Sequence, residues 1–313
     1  MSSMHKSASR LWEIAPTPSL KRRRNHEGPL QLSLVEISEV EPLPEPVISL
    51  RHLWLSIYLP ALPLEALLKT PEPTAVFESQ HGVRTLLLAN EQATGSGIGP
   101  GLTINAALAL VPSLLIQERH PAREGHVLNE LAEWLGQFTS LVCIEPPSLL
   151  LLEIAGSLKL FGGVRTLRQK IVDHLEDQGL SSHVAIAPTP LAATWLARAG
   201  NKVCIRGPRN LVGKLGTVPL HCLQWPEAVY TSLNDMSVKT VGEILRLPRQ
   251  EFARRFGAIR LLELDRALGK HPDPRTGYRS AERFVVDFDL DGEQEAVSLL
   301  LNICWELCYN LKI

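Results

Sequence analysis

Residues 141–157 read LVCIEPPSLLLLEIAGS. Two short apolar runs, 141–145 and 149–154, flank the Pro146–Pro147 pair, and apolar runs of this length bounded by turn-forming residues read as strands. Upstream, Val127, Leu128, Leu131, Trp134, Leu135 and Phe138 share one face at helical spacing. Downstream, Val164, Leu167, Ile171 and Leu175 mark a second helix, closed by Gly179. A strand at 183–187 and a helix over about 190–198 follow. Nearer the N-terminus, HLWLSIYLP alternates Leu53, Leu55 and Ile57 with Trp54, Ser56 and Tyr58, the period of a strand. The order β…αββαβα predicts an α+β protein built on a ferredoxin-like antiparallel sheet backed by helices.

An insertion of residues 61–122 separates the first strand from the first long helix. It contains ATGSGIGPGLTINAALALVP, with glycines at 95, 97, 99 and 101 ahead of a helix. That spacing lacks the Gly-Lys-Ser/Thr ending of one nucleotide-binding loop and the downstream acidic residue of the other. A small helical subdomain capped by a mobile loop is the expectation here.

The 313 residues suit about two domains. Hydrophobic residues at 45% supply a sizeable core and exclude wholesale disorder. Net charge is −1, so no global field points to a polyanion partner, but the distribution is uneven. Residues 202–279 carry 14 Lys and Arg against 7 Asp and Glu. Residues 1–50 hold a basic run at 21–24, then prolines at 42, 44 and 46 among glutamates, and read as a disordered tail. Five cysteines without C-x-x-C spacing fit free thiols in a reducing cytoplasm rather than a disulfide or zinc framework. No secretory signal pattern opens the chain, and the apolar run at 102–116 is too short and too interrupted to span a bilayer. A cytoplasmic protein with no membrane partner is expected.

Within the basic segment, LNDMSVKTVGEILRLPRQEFARRFG (233–257) reads as a helix, a tight turn and a second helix starting near Thr240. Short-turn helical pairs present backbone N–H groups to a phosphate at the second helix's N-terminus. Lys239, Arg246, Arg249, Arg254 and Arg255 supply cations around that turn. From Ser280 the chain resumes with FVVDFDLDG, a strand and acidic turn, and a helix is expected over 297–311.

Several stretches occur together in one order: LPLEALL after the first strand, the Gly-Ile…Gly-Leu…Pro turn and helix, IEPPS before a strand ending in Gly156–Ser157, VAIAPTPLAA, and the TVGEILRLP hairpin. Over residues 53–313 this order resembles the Y-family (UmuC-type) translesion DNA polymerases. Through LWLSIYLP and GSLKLFGG it looks closest to the catalytically inactive ImuB branch of that family. The resemblance implies a palm (51–60 and 123–201), a fingers insertion (61–122), a helix-hairpin-helix thumb (202–279) and the start of a truncated little finger (280–313). It also implies that Lys239, Thr240, Gly242, Arg246, Arg249, Arg254 and Arg255 contact DNA.

Nucleotidyl transfer in such a family needs carboxylates on adjacent strands to hold two Mg²⁺ ions. The position matching the first-strand Asp, nine residues before Glu65, is Ser56. The Asp-Glu pair of the second strand falls on Ser148 and Leu149, or in the shifted register on Leu150 and Leu151. The fingers Tyr and Arg that grip the triphosphate fall near Glu91 and Thr94, and the palm Asn-Lys on Thr189–Pro190. The expectation is a scaffold without metal or other cofactor, and no enzyme. Mg²⁺ enters only under the alternative, an active translesion polymerase that uses Glu145 and Glu153. A third alternative is the remnant of a disrupted gene, which would fold poorly.

In the tail, Gln31-Leu32-Ser33-Leu34-Val35 resembles the peptide that binds the bacterial sliding clamp, Gln31 anchoring while Leu32 and Leu34 fill an apolar pocket. The partners implied by resemblance are a DNA primer–template, the sliding clamp, a RecA-like ImuA accessory protein and an error-prone C-family DNA polymerase. The process implied is DNA repair by translesion synthesis and damage-induced (SOS) mutagenesis.

Overall fold

A computed structural model describes residues 52–67, 70, 72–80, 82–279, 301–302 and 304–305. The chain forms strand β1 (Trp54–Tyr58), helix α1 (Leu62–Glu65), β2 (Thr74–Gln80), β3 (Val83–Ala89), α2 (Glu91–Gly95), α3 (Ile104–Leu110) and β4 (Leu115–Glu118). There follow α4 (Pro121–Leu135), β5 (Val142–Glu145), β6 (Leu149–Glu153), α5 (Val164–Asp177), β7 (His183–Ala187) and α6 (Pro190–Arg198). The remaining described elements are helical: α7 (Pro208–Gly216), a 3-10 turn at Leu220–Leu223, α8 (Glu227–Asp235), α9 (Val241–Ile244), α10 (Arg249–Phe256) and α11 (Ala258–Ala267).

Four strands pair in the order β5-β6-β1-β7, and every neighbouring pair is antiparallel. Leu53, Leu55, Ile57 and Leu59, with Leu150, Leu152 and Ile154, point to one face. There they pack against Leu128, Leu131 and Leu135 of α4 and Leu167, Ile171 and Leu175 of α5. Trp54, Leu149, Leu151, Ala185 and Ala187 line the opposite face, under Trp195 and Leu196 of α6. Burial on both faces explains why Leu149–Leu152 is an unbroken apolar run rather than an alternating one.

The same cluster that contains Trp195 continues through Leu211, Leu215, Leu233, Val241, Ile244, Phe252 and Leu264 of the helical region. The helix expected from Thr240 onward is divided. Its first part, α9, ends before Pro248, and α10 begins after it, because proline lacks the N–H and clashes with the preceding turn.

The insertion differs more from expectation. It is built on a three-stranded sheet, β3-β2-β4, rather than helices alone. Strands β2 and β3 form an antiparallel hairpin, with Gly82 at φ +81° beside its turn, and β4 joins β2 in parallel. The short helices α2 and α3 flank the glycine-rich turn, in which Gly97 and Gly101 take positive φ.

The tail with its clamp-like peptide (Gln31, Leu32, Leu34) lies outside the described residues, as does the strand and acidic turn after Ser280. Of the helix expected over 297–311, Leu301, Asn302, Cys304 and Trp305 are described, and all are helical.

Candidate functional site

The sheet face under α6 carries Ser56, Leu149 and Leu151, three of the positions matched to metal-binding carboxylates, while Leu150 packs on the opposite face. Ser56 sits between Leu151 and Ala185 in the register, and Tyr58 between Leu149 and His183. Ser148 ends the turn before β6, and its carbonyl accepts from the Leu59 N–H at 2.9 Å. Ser56 is fully buried, and its hydroxyl is without a hydrogen-bond partner. Among the described residues no group of three or more His, Cys, Asp and Glu side chains is arranged to hold a metal ion.

Two carboxylates share this face, and both are engaged. Glu145, across from Leu149, receives Arg275 Nη1 at 2.7 Å, and the same guanidinium reaches Asp273 at 2.7 Å. Glu153, across from Trp54, turns back on the strand end, where its Oε1 accepts from the N–H groups of Leu53 (3.1 Å) and Ala155 (3.2 Å). Burial pulls the Arg198 guanidinium below its ordinary value, opposed by the nearby Tyr58 and Glu145. Burial pushes the Cys143 and Cys222 thiols up to about 11, which keeps them protonated and unreactive at neutral pH.

Thr189 and Pro190 start α6. The Thr189 hydroxyl accepts from the Ala192 N–H (3.3 Å) and donates to the Ala267 carbonyl (2.8 Å) at the end of α11. Pro190 occupies the first helical turn, where its missing N–H costs nothing. Glu91 opens α2, and the Thr94 hydroxyl donates to the Asn90 carbonyl.

Helices α8 and α9 form the hairpin expected in the basic segment. Ser237 takes φ +60° in the turn, a conformation that favours glycine. Thr240 caps α9, and Glu243 returns its carboxylate to the N–H groups of Lys239 and Thr240. Those two bonds hold the Glu243 carboxyl below the ordinary glutamate range. A Cβ on Gly242 would lie 2.8 Å from the Gly216 carbonyl oxygen, so this glycine lets α9 approach α7 closely.

Lys239 is exposed just after the turn, and Arg246 is exposed just after α9. On α10, Arg249 pairs with Asp265 and Arg254 with Glu251, each at 2.6 Å. Arg255 donates to the Ser232 hydroxyl at 3.1 Å and lies over the Phe256 ring. Arg254 and Arg255 also line a groove of about 450 Å³ with Met236, Leu247, Phe252 and Phe256.

Residues 63–198 match the protein family described as impB/mucB/samB. Protein ImuB of Caulobacter vibrioides is 35% identical over 185 residues, a match spanning 59% of this chain and 40% of the relative. Over this stretch the chain is similar to the Y-family polymerase-like proteins, ImuB among them. DNA polymerase IV of Pelotomaculum thermopropionicum is 23% identical over 250 residues, covering 75% of this chain and 60% of that one. Among solved structures, an insertion ternary complex of Dbh DNA polymerase superposes with a TM-score of 0.58 at 18% identity, over 71% of this chain and 69% of that chain. DinB from Sulfolobus solfataricus gives 0.55 at 17%, over 72% and 69%. These likenesses carry the fold. The chain spans about two fifths of the length of the curated ImuB relatives it matches.

Lys239, Thr240 and Gly242 follow one another from the α8–α9 turn into α9, Arg246 comes after α9, and α10 carries Arg249, Arg254 and Arg255, of which Arg254 and Arg255 line one groove and Arg249 another. Sequence reasoning missed Glu243, although Thr240-x-x-Glu243 is the pattern of a reciprocal cap and was legible as such. It also missed Arg275, whose partner Glu145 lies 130 residues away and leaves no local signal.

Proposed function

We propose that this chain is a non-catalytic, DNA-binding adaptor that serves translesion synthesis and damage-induced mutagenesis. The observation that carries the reading is Ser56, sealed and unpartnered on a sheet face floored by Leu149, Leu151 and Ala185. A two-metal centre needs convergent, solvated carboxylates there. In this reading residues 51–60 and 123–201 act as a palm, 61–122 as fingers, 202–279 as a thumb, and the chain from 280 begins a little finger.

Lys239, Arg246, Arg249, Arg254 and Arg255 would meet phosphates of a primer–template, with Thr240 and Gly242 shaping the hairpin they flank. Such contacts set position and affinity rather than sequence preference. Gln31, Leu32 and Leu34 would engage the sliding clamp, and a RecA-like ImuA protein and an error-prone C-family polymerase would complete the assembly. The active-polymerase alternative needs Glu145 and Glu153 free to bind Mg²⁺, whereas Glu145 is paired with Arg275 and Glu153 with backbone N–H groups.

The test is primer–template binding by anisotropy across a salt series, with extension assayed at saturating Mg²⁺ and nucleotides. Salt-sensitive binding without extension is the expected result. Extension abolished by Glu153→Ala would overturn the reading, and salt-insensitive or absent binding would remove the adaptor role.

A further inference from the structure

A second concentration of positive charge lies away from the helical hairpin. Arg165 and Arg168, three positions apart on α5, face Arg206 from the segment after α6 across a cavity of about 630 Å³. Val164, Gln169 and Cys204 complete its lining, which contains no acidic side chain. Among the described residues none of the three arginines makes an ion pair or a side-chain hydrogen bond. Arg168 Nε is shut off from water with no acceptor in reach.

The backbone holds this arrangement. The segment at 203–205 pairs with the edge of β7, the Ile186 N–H donating to the Val203 carbonyl (2.9 Å) and the Ile205 N–H to the Ile186 carbonyl (2.8 Å). Val203 and Ile205 pack into the core, so alternation turns Cys204 and Arg206 the other way, toward α5. Helix α5 runs 14 residues from Val164 at the cavity wall, and its N-cap, Gly163, provides no side-chain cap. The positive end of its dipole therefore adds to the three guanidiniums.

We propose that this cavity binds a phosphate-bearing ligand through Arg165, Arg168 and Arg206. Guanidinium forks match phosphate oxygens in pairs, and an anion relieves the mutual repulsion of three crowded cations. The cavity volume accommodates a group of nucleotide size. Because α5 packs on the sheet face opposite Ser56, the site is independent of the adaptor reading.

The phosphate can belong to a free nucleotide or to a nucleic-acid strand, and three probes separate these sources: pyrophosphate, ATP and a single-stranded oligonucleotide. Each is titrated at low salt into the full chain, Arg168→Gln/Arg206→Gln, and Arg84→Gln/Arg123→Gln, two exposed arginines outside the cavity lining. At least one probe is expected to bind at least about tenfold more weakly to the first variant and within about twofold of normal to the second, since the loss of even one charged hydrogen bond removes about a factor of ten. Pyrophosphate or ATP behaving so identifies a free nucleotide; only the oligonucleotide behaving so identifies a strand. If no probe distinguishes the cavity variant from the unaltered chain, the proposal fails. Should a melting curve show that Arg168→Gln weakens the fold, Arg165→Gln/Arg206→Gln, both at exposed positions, gives the same readout.

Discussion

Ser56 stands buried on a central strand, with no protein acceptor for its hydroxyl. Removing an unsatisfied buried hydroxyl is close to neutral or favourable, so Ser56→Ala is expected to leave stability unchanged or raise it by up to about 1 kcal/mol in urea denaturation. Introducing a carboxylate at this position has the opposite effect. Ser56→Asp would bury an unpaired charge and cost about 3 kcal/mol or more at neutral pH. Burial raises the folded-state pKa of such a carboxyl, so the deficit is absent below the unfolded value of about 3.9 and grows as pH rises toward the folded one. A loss that stays constant with pH would refute burial of the charge as its cause. At Ser237 the strain is in the backbone: Ser237→Gly relieves φ +60° and should gain about 1 kcal/mol, read as a higher urea midpoint.

At the scale of the element, the contact between α7 and α9 separates two glycines that look alike in sequence. Gly242→Ala places a methyl 2.8 Å from the Gly216 carbonyl oxygen, whereas Gly216→Ala places one 3.5 Å from Gly242 Cα, an ordinary contact. The first is expected to cost about 1–3 kcal/mol despite alanine's better helix propensity, and the second to be neutral or stabilising. Equal effects in denaturant would show that the helices move apart freely. The reciprocal cap on α9 has its own pH signature. The Glu243 carboxyl is held low by the N–H groups of Lys239 and Thr240, so its contribution is complete above the ordinary glutamate pKa and is lost as pH falls through the lowered one. Glu243→Gln should flatten that acid limb of the stability profile.

Across the whole molecule, the sheet face holding Ser56, α6 and the described helices α7–α11 belong to one apolar cluster. A shared core predicts one cooperative transition, with tryptophan fluorescence and far-UV circular dichroism melting together; an earlier, separate loss of helix would contradict it. The strands and helices around this core were legible because each repeats its own period, as in Leu53–Tyr58 and Val164–Leu175. The absence of acidic residues at Ser56, Ser148 and Leu149 was legible for the simpler reason that composition at a position needs no fold. The second sheet was not, since β4 joins β2 by a parallel pairing between Thr74 and Leu115, far apart in the chain. Nor was the division of the hairpin's second helix, although Pro248 marked it. The amino-acid sequence by itself determined the local elements and which chemical groups were available to the central sheet. Only the tertiary structure decided that Glu145 is held by Arg275, that Thr189 docks on Ala267, and that three arginines share one cavity. Those pairings join residues whose meeting depends on how the sheet and helices pack, a long-range term that no local pattern encodes.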